Sequence, residues 1–263
     1  MATDVPSRRK VLGLTVPSAT MSAMKALLTS SGITNATIEA ALVDLLGKPI
    51  AESTALIVPT GIYPFSVGPE MAGRLIRGEV NGRFAQLGWK SVGLLELSVL
   101  PSVDREVWVS LLEATDALLV WGGDPLFLSY WLKESGVADL LPSLDIVYVG
   151  SSAGAMAATK LIGETYTEPR TARGKELSEE EIVFEGGLRR TLITGPGIGL
   201  VDFSLIVHLD NPHHGDVSVA NAAIWAARLP VPTYAIDEQT AIKVIDGAVD
   251  IVTEGHWKLF EPQ

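Results

Sequence analysis

The chain has 263 residues, 47% of them hydrophobic, which is enough to bury a sizeable core. Its net charge is −11 and no basic run is longer than Arg8-Arg9-Lys10, which argues against a nucleic-acid partner, since phosphate binding relies on clustered Lys and Arg. Cys is absent, which removes disulfides, thiolate metal sites and a cysteine nucleophile together, and no apolar run is long enough to span a bilayer.

Ser7-Arg8-Arg9-Lys10-Val11-Leu12 carries the paired arginines of an export signal, but the apolar stretch Val11 to Val16 is short and ends at Pro17. Residues 1–23 therefore read as an extension, residues 24–263 as one α/β domain, and the protein as cytoplasmic. Lys25 to Leu28 reads as a strand, turned by Thr29-Ser30-Ser31-Gly32. Ile38, Ala41, Leu42, Leu45 and Leu46 mark one face of a helix over Asn35 to Leu46. Ala55 to Pro59 is a second strand, and Pro69 to Arg77 and the stretch into Leu87 read as helical. Ser91 to Leu97 is a third strand, and Asp104 is placed to cap a helix through Ala114. Ala117 to Trp121 is a fourth strand, broken by Gly122-Gly123-Asp124-Pro125, and Leu126 to Ser135 a helix. Asp145 to Val149 is the fifth strand. These strands are apolar on both faces and alternate with helices, the pattern of a parallel sheet covered on both sides. Ligands of such sheets gather beyond the C-terminal strand ends, where Gly-rich turns follow Pro59, Trp121 and Val149.

Beyond Gly163 the pattern changes. Glu164 to Glu185 is polar and reads as a loop with a short helix. Phe203 to Leu209 is an apolar strand after a glycine-rich approach, and Val217 to Arg228 is helical. Thr233 to Ile236 and Ala241 to Ile245 are strands around Asp237-Glu238-Gln239-Thr240. Asp246-Gly247 is a hairpin turn, with Val249 to Thr253 and Trp257 to Phe260 finishing an antiparallel edge.

The chemistry centres on Gly150-Ser151-Ser152-Ala153-Gly154, a G-x-S-x-G pattern between a strand and a helix. There a serine is displayed on a sharp turn, its neighbours must be small, and glycine admits positive φ. Ser152 is the candidate nucleophile, and a serine needs a base to take its proton. Of the four histidines, His208 ends a predicted strand. His213 and His214 share a loop with Asp210 and Asp216 without metal-ligand spacing, and His256 falls in the C-terminal hairpin. Glu238 is the choice for the group orienting the base, with Asp237 its close competitor. The N–H of Ala153 and the Gly122-Gly123 backbone are candidate oxyanion donors. Arg170 and Arg173 could pair a substrate carboxylate or simply be solvated. The Trp- and Leu-rich stretch Leu126 to Leu132 fits a homodimer face or a core face equally.

With Gly122-Gly123-Asp124, the elbow Gly150 to Ala155, Gly197-Ile198-Gly199-Leu200-Val201-Asp202-Phe203, His208 and Asp237-Glu238 in place, the chain resembles the peptidase E (α-aspartyl dipeptidase) and cyanophycinase family of serine peptidases from about Met24 to Phe260. The resemblance implies a class I glutamine amidotransferase-like fold: an α/β three-layer sandwich with a mostly parallel central sheet flanked by helices. An amidotransferase proper would carry Cys at the elbow. The resemblance also implies Ser152 as nucleophile, His208 as base, Glu238 as orienting acid, and Gly123 and Ala153 as the oxyanion hole. The implied activity is hydrolysis of short peptides, aspartate-containing ones among them, through an acyl-enzyme and without metal or cofactor. The order Ser, His, Glu differs from the Ser, Asp, His order of α/β-hydrolases. Asp124 matches the cyanophycinase branch where peptidase E has Asn, and Val207-His208-Leu209 stands where Pro-His-Phe is expected. A different acyl hydrolase, or a non-catalytic binding module, would use the same frame.

Overall fold

A computed structural model of the chain describes residues 24–80, 83–167 and 176–262. The twin-arginine stretch and both Arg170 and Arg173 lie outside the described residues. The elements run β1 (Lys25–Thr29), α1 (Ala36–Leu46), β2 (Thr54–Val58), α2 (Gly68–Ile76), β3 (Ser91–Leu94), α3 (Arg105–Glu113), β4 (Ala117–Val120), α4 (Pro125–Glu134), α5 (Val137–Leu140), β5 (Val147–Ser151) and α6 (Ala153–Ala157). There follow β6 (Leu161–Tyr166), β7 (Ser178–Val183), β8 (Arg189–Pro196), β9 (Ser204–Ile206), α7 (Val219–Ala226), β10 (Thr233–Ile236), β11 (Thr240–Ile245), β12 (Ala248–Thr253) and β13 (Trp257–Phe260).

The main sheet has the order β12-β11-β1-β5-β4-β2-β3. Its five strands from β1 to β3 are mutually parallel, and the β11–β12 hairpin adds an antiparallel edge beside β1. β4 and β5 are buried along their whole length, as strands covered on both faces must be. One cluster on one face of the sheet is built from Leu28, Val58, Leu118 and Tyr148, and a second on the other from Leu27, Ile57, Leu119 and Val149. Helix α1 packs on the second with Ile38, Ala41, Leu42 and Leu45. Its ends are set by Asn35, whose side chain accepts the Ile38 N–H, and by Gly47 at φ 68°. Asp246 and Gly247 take positive φ, as a tight hairpin requires. Among the described residues no helix is long and apolar enough to cross a membrane.

Several expectations are corrected. The third strand stops at Leu94, because the Glu96 carboxylate gathers the Ser98 N–H and the Thr60 hydroxyl and turns the chain into the 3₁₀ segment Leu97–Ser102. Past α2, Gly78 at φ 71° ends the helix, and among the described residues up to Leu87 the one helical turn that follows is the short 3₁₀ turn Ala85–Leu87. Asp104 occupies the cap position of α3 but its side chain makes no capping bond. The described residues of the polar stretch Glu164 to Glu185 lie largely in strands, the end of β6 and all of β7, while 168–175 lie outside the described residues. β8 pairs with β6 on one side and β7 on the other, and Ile182 and Leu192 bury against Trp225. β13 does not extend the main sheet: it pairs with β10 in a small sheet, β13-β10-β9. The turn at Asp237-Glu238 is therefore a crossing between two sheets and not a hairpin. Leu126, Leu128 and Leu132 of α4 are core residues, and Trp131 packs partly buried against the same core.

The elbow glycines serve close approach, not positive φ. A Cβ on Gly150 would sit 2.7 Å from the Ala155 backbone, and one on Gly154 would sit 2.0 Å from the Val120 carbonyl oxygen. The positive φ belongs to Ser152 itself. Gly154→Ala is accordingly expected to destabilise the fold by about 3 kcal/mol, since both the elbow and β4 are backbone that cannot step aside. Urea unfolding of the variant beside the parent chain measures this.

Candidate active site

Ser152 follows β5 directly, with φ 53° and ψ −119°, and the short helix α6 starts at Ala153. This sharp turn lifts the hydroxyl above the C-terminal end of the parallel sheet. Tyr148, whose hydroxyl burial keeps protonated, donates to the Gly154 carbonyl at 2.6 Å and secures the turn from beneath. His208 lies two residues beyond β9, also at positive φ (64°). Its Nε2 is 2.9 Å from Ser152 Oγ, and its Nδ1 is 2.8 Å from Glu238 Oε1. The sequence-predicted Ser152, His208 and Glu238 thus form one continuous line.

Of the two competing carboxylates, the structure brings Glu238 to the histidine. Asp237 is turned the other way. Its Oδ1 accepts from the Gln239 N–H and the Thr240 hydroxyl, and its Oδ2 from the His256 N–H. His256 is exposed, and its ring bridges Asp237 and Asp210 at 3.0 and 2.9 Å. Burial pushes the Glu238 carboxyl up, but hydrogen bonds from His208, Ser31 and Asn211 outweigh it and hold the group at about 2. Glu238 therefore stays ionised across the range in which a histidine works as a base.

Gly122 and Gly123 run against the serine: a Cβ on Gly122 would lie 3.1 Å from Ser152 Cβ. Gly123, at φ 132°, is pressed on the Gly61 carbonyl, where a Cβ would come within 2.0 Å. The turns after β2, β4 and β5 thus meet at one point, as anticipated. Asp124 caps α4 through the Phe127 N–H and accepts from the Tyr166 hydroxyl. Ala153 N–H, the first of α6, has no partner within its helix. A cavity of about 530 Å³ opens here, lined among others by Phe65, Gly123, Ser152, Tyr166, His208 and His214. Among the described residues, no three His, Asp or Glu side chains are grouped to hold a metal ion. His213 and His214 do not form such a group. His214 instead stacks on His208, with ring centroids 4.2 Å apart and planes 6° from parallel.

Three supporting residues were not singled out from sequence. Ser30, buried just past β1, accepts the His208 N–H at 3.0 Å and donates to the Ile236 carbonyl at 2.9 Å. Asn211 reaches Glu238 Oε1 with its side-chain amide. Thr34 donates to the Glu238 carbonyl at 2.7 Å. A signal was available for Ser30, since Thr29-Ser30-Ser31-Gly32 sits at the C-terminal end of a parallel strand, where functional groups gather.

An α/β sheet carrying a serine, a histidine and a carboxylate in line above its C-terminal edge defines a hydrolase-like architecture. Matching against known families makes this specific. The sequence model of peptidase family S51, a serine peptidase family, matches residues 26–252, and the chain belongs to that family. Among solved structures, it is similar to a candidate peptidase E protein from Listeria monocytogenes EGD-e, with a TM-score of 0.58, 17% identity, and 89% of this chain and 100% of that one covered. It is also similar to a peptidase from an acI-B1 Actinobacterium, with a TM-score of 0.53, 18% identity, and 92% and 95% covered. No curated protein matches the chain by sequence. The fold is that of peptidase E, as the sequence resemblance implied.

Two outcomes follow from this geometry. Ser30→Ala leaves the His208 N–H and the Ile236 carbonyl without their partner, so a loss of about 1–3 kcal/mol is expected in denaturant unfolding. The second concerns acid. Glu238 has a folded value of about 2, below its ordinary 4.5, so its contribution to stability is present above about pH 4.5 and is lost as pH falls toward 2. The stability of Glu238→Gln, measured against pH by urea unfolding, should show a correspondingly smaller fall across that window.

Proposed function

We propose that this chain hydrolyses short peptides through an acyl-enzyme on Ser152, with His208 as general base and Glu238 orienting it. The observation that carries the reading is the unbroken line from Ser152 Oγ through both nitrogens of His208 to Glu238 Oε1. His208 Nε2 takes the hydroxyl proton as Oγ attacks the scissile carbonyl carbon. Glu238 accepts the Nδ1–H, which fixes the tautomer that leaves Nε2 free to receive that proton, and it stabilises the imidazolium that results. The N–H groups of Gly123 and Ala153 face the oxyanion. The tetrahedral intermediate collapses, the C–N bond breaks, and His208 returns the proton to the departing amine. Water then repeats the sequence on the ester, releasing the acid and restoring Ser152.

A cavity of about 530 Å³ is of the size that holds a small molecule, which supports a peptide of few residues as substrate. Aspartate-containing dipeptides are the first to try, by the likeness to peptidase E. Labelling with a serine-directed fluorophosphonate tests the nucleophile. Native protein should label, Ser152→Ala should not, and His208→Ala should be slower by at least on the order of 10⁴-fold. A folded native protein that does not label, yet binds peptides, would make this frame a binding module. Labelling together with turnover of esters but of no dipeptide in a library would make it a different acyl hydrolase.

A further inference from the structure

The second histidine of the His213-His214 pair has no part in the reading above, yet it lies flat on the base. His208 is held at its edge by two hydrogen bonds, one at each ring nitrogen. Those bonds leave the ring free to tilt about the line that joins them. His214 covers one face, with centroids 4.2 Å apart and planes within 6° of parallel.

The loop is folded to bring it there. Asn211 N–H donates to the His208 carbonyl at 3.1 Å, His214 N–H to the Asn211 carbonyl at 2.9 Å, and Val217 N–H to the His214 carbonyl at 2.9 Å. The Asn211 side chain spans from the His213 N–H to Glu238. The same His214 ring lines the cavity beside Ser152.

We propose that His214 is a positioning residue of this site: its flat ring, stacked on His208, holds the plane of the base and lies against the positive charge that develops there. The proposal rests on the catalytic reading of Ser152, His208 and Glu238 given above. An uncharged aromatic face favours a cation laid against it, whereas a second cation at this distance repels it. The surroundings favour the uncharged form of His214. Partial shielding of the ring from water and the neighbouring His208 push its proton affinity down, and His213 adds to this. Glu238 and Asp216 act in the opposite sense without reversing it, and Asp216 is itself paired with Arg190 at 3.0 Å. His214 as a residue is exposed, so its replacement leaves the core untouched.

The test follows fluorophosphonate labelling of Ser152 in the full chain between about pH 5 and 9, in the native protein and in His214→Ala, His214→Phe and His214→Arg. Removing the ring should slow labelling roughly ten-fold at the plateau, while Phe, flat and uncharged, should keep a near-native rate. Arg is flat and always charged. Its cation should disfavour a protonated base, moving the acid limb down by about one pH unit, and should also slow the plateau, because the same repulsion opposes the imidazolium formed in the reaction. An Ala variant as fast as native, a Phe variant as slow as Ala, or an Arg variant with an unmoved acid limb would overturn the proposal. Should Ala prove unstable in thermal melting, the Phe and Arg pair decides. If the native protein fails to label, or Ser152→Ala still labels, the catalytic reading itself is what fails, and the role given to His214 falls with it.

Discussion

The Ser30 hydroxyl is the point on which this site hangs. It accepts the backbone N–H of His208 and donates to the carbonyl of Ile236, the last residue before Asp237-Glu238. One buried oxygen thereby sets the distance between the segment carrying the histidine and the segment carrying the carboxylate. The same turn holds the serine. Ser152 N–H donates to the Thr29 carbonyl at 2.9 Å, and the Thr29 hydroxyl to the Gly150 carbonyl at 3.0 Å. Thr34 and Asn35 extend the grip to the carbonyls of Glu238 and Gln239. Three segments far apart in sequence are thus measured against a single short turn at the end of the interior strand β1.

That arrangement explains how two strained residues persist. Ser152 and His208 both sit at positive φ without being glycine, at a cost of about 1–3 kcal/mol each. Neither conformation would survive on local preference. Ser152 is wedged between Gly122 and the first turn of α6, and the main chain of His208 is tied to Ser30 on one side and to Asn211 on the other. The rigidity lies in the backbone, and the side chains inherit it. This suits a site whose groups must already be aligned when substrate arrives.

What was legible in the sequence followed burial. β2, β4 and β5 are apolar on both faces and read as parallel strands, and α1 has a helical stripe with a cap at each end. β7 was not legible because, of its six residues, only Ile182 is buried, so its glutamates carry no alternating signal. β9 reads from its apolar run as Phe203 to Leu209, and its regular part is the shorter, fully buried Ser204–Ile206, so His208 stands two residues past the strand end. For the site, Ser152 and His208 stood out through the elbow pattern and a strand end. Glu238 could not be separated from Asp237 by local pattern, since both lie in one crossing. The choice depends on Thr240, Thr253 and His256 engaging the Asp237 side of that crossing, all of them tertiary contacts. The stacking of His214 is likewise a product of how the loop closes, and no spacing in the sequence encodes it.

The position of β1 has a consequence for synthesis. This first strand of the described domain lies inside the sheet, between β5 and β11, and Met24 is joined to Asp246, 222 residues later. As the chain emerges from the ribosome, β1 must wait for almost the whole polypeptide before its second edge is covered. Such long-range closure folds slowly and late. The carboxylate partner of His208 is delivered by the same final segment. A nascent chain therefore carries Ser152 and His208 without the group that aligns them, and the alignment arrives together with the last strands that complete the fold.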